Sequence, residues 1–227
     1  MYCYNNPLNV IDPDGREGIV VSGQPGGHKN REHFLVNGLD RAKGALSHRQ
    51  SKSEKVTWMV YNDGSKENGY TKGQLAKYEA LAKKAGVTMK VVNDTDDIVD
   101  YVNNKNGGKS RESDKITSFY YVGHATPGDM DAGYTGGVFG QDFEPDDLDD
   151  DAFSKGCWVN VTAACRTSKG GLIEDSVVDQ FAKKLDPSST VNGSDVRTQF
   201  DGGKRTDKEL LKANKGTQVT KKGEKVD

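Results

Sequence analysis

Ile116-Thr117-Ser118-Phe119-Tyr120-Tyr121-Val122 runs straight into Gly123-His124-Ala125, and Trp158-Val159-Asn160-Val161-Thr162-Ala163-Ala164 runs straight into Cys165. Both are short runs rich in β-branched and aromatic residues, the pattern of a buried strand. Each delivers a side chain capable of chemistry at its carboxyl end. The fold follows from whether these two runs are neighbours in one parallel sheet.

Working outward, the same pattern recurs. Residues 56–61 (Val-Thr-Trp-Met-Val-Tyr) form an apolar run closed by Asn62-Asp63-Gly64, a strand and a turn. Residues 87–92 predict a second strand, and residues 190–196 a weaker fifth one. Helical periodicity lies between them. Phe34, Leu35, Leu39, Ala42 and Leu46 share one face. Thr71 with Gln74 makes a capping box for a helix whose face is Leu75, Tyr78, Leu81 and Ala82, and Gly86 closes it. Thr95 is expected to cap a helix carrying Ile98, Val99 and Val102, with Asp96 and Asp97 in its first turn. A further helix is expected over residues 172–185, with Val177, Val178, Phe181 and Leu185 inward. Residues 17–29 read as extended or loose, residues 126–150 as a Gly- and Asp-rich insertion, and the Lys-rich end as a loose tail with at most one short helix near Leu210 and Leu211. Strands alternating with helices predict an α/β fold, a mostly parallel central sheet flanked by helices on both faces.

Composition narrows the function classes. The 227 residues carry a net charge of -2, which argues for neither a nucleic-acid binder nor a membrane-surface binder. No apolar run of membrane-spanning length occurs. Three cysteines, Cys3, Cys157 and Cys165, are not a disulfide framework, and neither they nor the four histidines show zinc-ligand spacing. Cys157 precedes Cys165 by about 26 Å of extended strand, so it reads as structural.

In open α/β sheets, ligands bind outside the carboxyl ends of the strands. His124 and Cys165 hold such positions, and neighbouring strands lie about 4.8 Å apart. A thiol near its ordinary pKa of about 8.5 is mostly protonated at neutral pH and needs a base. An imidazole supplies one, and later protonates a leaving amine. An oxyanion would want backbone N–H donors, for which those of Ala125 and Cys165 are the candidates.

Two local strings carry family resemblances. Tyr121-Val122-Gly123-His124-Ala125 and Val161-Thr162-Ala163-Ala164-Cys165-Arg166-Thr167 resemble, in order and strand placement, the His and Cys motifs of the caspase-like clan that includes the clostripain, gingipain and CHAT-type cysteine peptidases. The resemblance covers about residues 56–196. It implies a caspase-like three-layer sandwich, with His124 as acid and base and Cys165 as nucleophile. Two departures stand out. The Gly that follows the family's His is Ala125 here, which keeps its N–H. Ala163 occupies a position that is acidic in relatives cutting after Lys or Arg, which puts basic specificity in doubt; Asp195, after the fifth strand, is the remaining candidate to line a substrate pocket. Some members of the clan are activated by calcium, and Asp142, Glu144, Asp146, Asp147, Asp149, Asp150 and Asp151 form an acidic run. It lacks EF-hand spacing, so it reads as a solvated loop.

The second resemblance is at the other end. Tyr2-Cys3-Tyr4-Asn5-Asn6-Pro7-Leu8-Asn9-Val10-Ile11-Asp12-Pro13-Asp14-Gly15 resembles the segment that closes the core of RHS/YD-repeat proteins, whose following domain is variable and often a toxin. It implies a joint at residues 1–17, a linker and helix at 18–55, a peptidase domain at 56–200 and a tail at 201–227. It also implies an effector released from an RHS shell, delivered into a target cell's cytoplasm by secretion, cutting proteins there and countered by an immunity protein. Two alternatives stay open: a nuclease cargo, for which no H-N-H motif or clustered Asp/Glu/Lys site is found, and a caspase-like binding domain without activity.

Overall fold

The computed structural model describes residues 16–27, 32–49, 51–105, 111–112, 114–135, 141–170, 175–196 and 218–225. The expected short helix near Leu210 and most of the RHS-like joint lie outside these residues.

Seven strands form one sheet. In chain order they are β1 (Glu17–Ser22), β2 (Lys55–Tyr61), β3 (Thr88–Val92), β4 (Ile116–Val122), β8 (Phe153–Ala163), β9 (Thr190–Ser194) and β10 (Gln218–Lys222). Their spatial order is β10-β9-β8-β4-β1-β2-β3, all parallel except β10, which runs antiparallel to β9. The chain lays down β1, β2 and β3 in one direction and then returns to add β4, β8 and β9 on the other side. The order reverses between β1 and β4, which is where such sheets place their ligand crevice. Three short strands, β5 (His124–Ala125), β6 (Met130–Asp131) and β7 (Asp142–Phe143), make a separate antiparallel sheet inside the expected insertion.

Helices cover both faces. α1 (His33–Ser47) and α2 (Lys72–Ala85) pack on one, where Leu35, Leu39, Ala42, Tyr78 and Ala82 meet Val20, Trp58, Val60 and Tyr120. α3 (Thr95–Asn104) and α4 (Val177–Lys184) pack on the other, where Ile98, Val102, Val178 and Phe181 meet Ile19, Met59, Phe119, Val159 and Val191. Successive strand residues alternate between the two cores. This is the expected α/β sandwich of three layers.

Several expectations need correction. Glu17–Ser22, read as extended or loose, is an interior strand between β4 and β2, buried at every position. Gly-Ile-Val-Val is too short to show a period, and a strand buried on both faces needs none. The sheet therefore begins well upstream of residue 56. β8 starts at Phe153 rather than Trp158, and Gly156 within it adopts a positive φ of 73°. Residues 218–222 of the expected loose tail form edge strand β10. Asp94, not Thr95, caps α3, accepting a hydrogen bond from the Asp96 N–H. Leu81 faces solvent, whereas the capping box at Thr71 and the left-handed Gly86 stand where expected.

One buried ionic cluster closes the amino end of the sheet. Glu17, 2% exposed, accepts from Arg111 Nη1 at 3.0 Å and from the Tyr101 hydroxyl at 2.8 Å, and the Thr57 hydroxyl also donates to it. Arg111 is equally buried and donates through Nη2 to the Tyr101 carbonyl at 2.7 Å. Removing one partner strands a charge in a dry site, at a cost of about 3–5 kcal/mol, whereas replacing both with apolar groups costs less. Arg111→Ala should therefore lose about 3 kcal/mol in urea unfolding and Glu17→Leu/Arg111→Met distinctly less. A single substitution costing under about 1 kcal/mol would contradict this description.

Candidate active site

β4 and β8 pair in parallel with Val122 opposite Ala163. His124 lies two residues beyond Val122 and Cys165 two beyond Ala163, so the 41-residue spacing of the pair equals the register offset of the strands at their ends. That equality depends on an irregularity. Tyr120 pairs with Asn160, and one residue then separates it from Val122 while two separate Asn160 from Ala163. The extra residue is a β-bulge, and it shifts the alternation of β8 by one. Ala163 consequently packs on the α1 face against Val122 and Phe34, and Ala164 turns into the opposite core. Without the bulge these two would exchange faces. Both His124 and Cys165 are half-buried.

The backbone after β4 is held by its own residues. The Tyr121 hydroxyl donates to the His124 carbonyl at 2.7 Å. A Cβ on Gly123 would sit 2.6 Å from that hydroxyl, so the residue before the histidine has to be glycine. β5 then pairs with β6, His124 opposite Asp131 and Ala125 opposite Met130. Pro127-Gly128 makes the connecting turn, with Gly128 at φ 101°, as a type II turn requires. The Thr126 and Asp129 backbones exchange both hydrogen bonds, at 3.2 and 3.3 Å. Antiparallel pairs alternate, so the next bonded pair is His124 with Asp131, and the Ala125 N–H points away from β6. It is therefore not taken up by the β5–β6 ladder.

The imidazole touches two rings. It and Phe34 of α1 are perpendicular, with centroids 5.1 Å apart and planes at 83°. Tyr134 lies against it at 4.1 Å, tilted by 34°.

The turn after β8 explains its motif residue by residue. Arg166 adopts a left-handed φ of 51°, uncommon for a residue with a side chain, within the turn that follows β8 and holds Cys165. Its N–H donates to the Val196 carbonyl at 2.9 Å. Thr167 is fully buried; its hydroxyl donates to Val161 O at 3.2 Å and accepts from Ser194 N at 2.9 Å, pinning the turn to β8 and β9. Asp195 follows β9 at the same end of the sheet and is partly exposed, and its neighbour Val196 accepts the Arg166 N–H. Ala163 is buried beneath Phe34, so it floors the site rather than lining an open pocket. Cys157 is wholly buried in the α3–α4 core, and burial pushes its thiol well above the usual range.

Most described carboxylates of the acidic run have protein partners. Asp150 pairs with Lys184 at 3.2 Å and with Lys225 at 3.5 Å, Asp151 with Lys225, and Asp147 accepts from the Glu144 N–H. Among the described residues no group of three His, Cys, Asp or Glu side chains is placed to hold a metal ion. A cavity of about 530 Å³ opens lower on the α1 face, walled by Arg41, Glu54, Tyr120 and Trp158, and its walls include neither His124 nor Cys165.

Gln24, Phe34, Tyr121, Asp131 and Tyr134 are absent from the sequence-based site. Only the Thr-Pro-Gly-Asp turn at 126–129 carried a signal, a hairpin that folds Asp131 back beside His124. Asp131 is buried, and its Oδ1 has no hydrogen-bond partner among the described residues. Burial first, then Asp142 and Asp129, raise its pKa to about 6. A carboxyl raised above its unfolded value favours folding below that value and loses this contribution as pH rises through about 6. Asp131→Asn should thus change stability little at pH 4 and add about 2 kcal/mol at pH 7.5, measured by urea unfolding. A gain that does not grow with pH would refute the assignment.

No protein-family model, curated protein or solved structure matches the chain, so the site stands on its geometry.

Proposed function

We propose that the chain is a cysteine endopeptidase of the caspase-like kind, acting through His124 and Cys165. One observation carries the reading: a half-buried imidazole and a half-buried thiol lie two residues past paired positions on adjacent parallel strands, at the carboxyl ends where such sheets bind ligands. Order along the chain, His before Cys, suits this clan and not papain-like enzymes.

The chemistry follows from the positions. His124 takes the Cys165 proton, and the thiolate attacks the scissile carbonyl carbon. The new C–S bond pushes electron density onto the carbonyl oxygen, which meets the N–H of Ala125 and of Cys165. As the tetrahedral species collapses, the C–N bond breaks and the imidazolium gives its proton to the departing amine. Water, deprotonated by the same imidazole, then attacks the thioester carbonyl and releases the thiol and the acid. No cofactor enters these steps. Asp195, close to the Cys165 turn, is a candidate contact for the substrate side chain.

The RHS-like joint supports delivery from an RHS shell as a toxin, acting on proteins in the cytoplasm of a target cell, with an immunity protein as the expected partner. No described helix is long and apolar enough to cross a membrane.

The test uses the full chain, because β1 begins at Glu17. Expressed in a sensitive cell, Cys165→Ala and His124→Ala should each abolish toxicity and the appearance of new protein N-termini, with circular dichroism unchanged. A fully toxic Cys165→Ala sinks the proposal, and degraded nucleic acid would point to a nuclease instead. In vitro, iodoacetamide should label Cys165 at least about a hundredfold faster than buried Cys157. Equal rates would contradict the assignment.

A further inference from the structure

We propose that Tyr134 is a positioning residue for His124, held in place by a buried clamp from Gln24; this rests on the His124–Cys165 reading. The Tyr134 ring centroid lies 4.1 Å from that of the imidazole, the two planes tilted by 34°, and the tyrosine is itself fixed from several sides. Gln24 is fully buried at the end of β1, beside the point where the strand order reverses. Its Nε2 donates to the carbonyls of Gly133 at 3.2 Å and Tyr134 at 3.3 Å, and to Asp63 Oδ2 at 3.1 Å. Its backbone N–H donates to Ala132 O at 2.8 Å, and its Oε1 accepts from the Asp63 N–H at 3.2 Å. Gly26, at φ 59°, brings bare backbone against the tyrosine: a Cβ there would lie 2.4 Å from Tyr134 Cδ1. The loop after β1 and the segment after β6 are thus locked together, and what they present to His124 is an aromatic ring.

A tilted ring 4.1 Å away and the perpendicular Phe34 ring 5.1 Å away leave the imidazole little rotation about its side-chain bonds. Proton transfer depends steeply on such placement, and an ångström of drift can cost about a hundredfold. The electron-rich face also favours the imidazolium formed when Cys165 gives up its proton. Neither effect needs the tyrosine hydroxyl. A ring must remain, and its oxygen is dispensable.

Because the substrate is unidentified, thiol reactivity is the readout. Iodoacetamide alkylation of Cys165 at neutral pH would be compared in wild type, Tyr134→Phe, Tyr134→Leu, Tyr134→Ala and His124→Ala, each checked by thermal unfolding. Tyr134→Phe should stay within about twofold of wild type, and Tyr134→Ala should fall about tenfold or more, toward the His124→Ala rate. Tyr134→Leu keeps apolar bulk without a ring face and should fall likewise, which covers the case where the alanine variant does not fold. Wild-type rates in the folded alanine or leucine variant overturn the proposal, and faster rates would make Tyr134 a shield instead. If His124→Ala itself alkylates at the wild-type rate, the dyad reading fails and takes this proposal with it.

Discussion

Strand register decides whether this molecule has a site at all. Near their carboxyl ends β4 and β8 pair with one extra residue in β8, and that bulge sets which face each side chain beyond it occupies. Ala163 joins Phe34 and Val122, Ala164 joins the opposite core, and the sulfur two residues past Ala163 follows the imidazole two residues past Val122. A one-residue slip inverts all of these together. The apolar burial of Val159 and Val161 on one side and Phe34 on the other holds the pairing in place.

Around that register the two ends of the sheet divide the work. At the amino end, Glu17 and Arg111 form a buried ion pair with Tyr101 and Thr57, edged by Lys105 and Asp114, a feature that fixes geometry. At the carboxyl end, backbone turns, a left-handed Arg166 and half-buried polar groups accumulate. Glycines there serve distinct purposes: Gly123 makes room for the Tyr121 hydroxyl, and Gly26 makes room for the Tyr134 ring. Asp131, raised to about 6 by burial, adds a carboxyl whose charge the fold tolerates poorly.

The amphipathic helices and the apolar strands could be read from the chain because each buries one face or two, and burial writes itself as period or as run. β1 could not be read, since Ile19, Val20 and Val21 are flanked by glycines and charged residues and give no period. The placement of His124 and Cys165 just past strand ends was legible because each follows an apolar run. Gln24 and Tyr134 were not, because both sit in Gly-rich loops where local pattern carries no information; only the fold brings Gln24 to the Tyr134 backbone, 110 residues away. The bulge was invisible for a related reason. It is a property of two strands together, and neither sequence alone announces it.

Coupling between the imidazole and the sulfur is measurable without a substrate. Proton NMR of the His124 ring, followed through a pH titration in wild type and in Cys165→Ala, reports it directly. A thiolate beside the imidazolium favours the charged ring, so the wild-type midpoint should lie above that of the alanine variant. Identical midpoints in two folded proteins would mean that the two groups do not share a site.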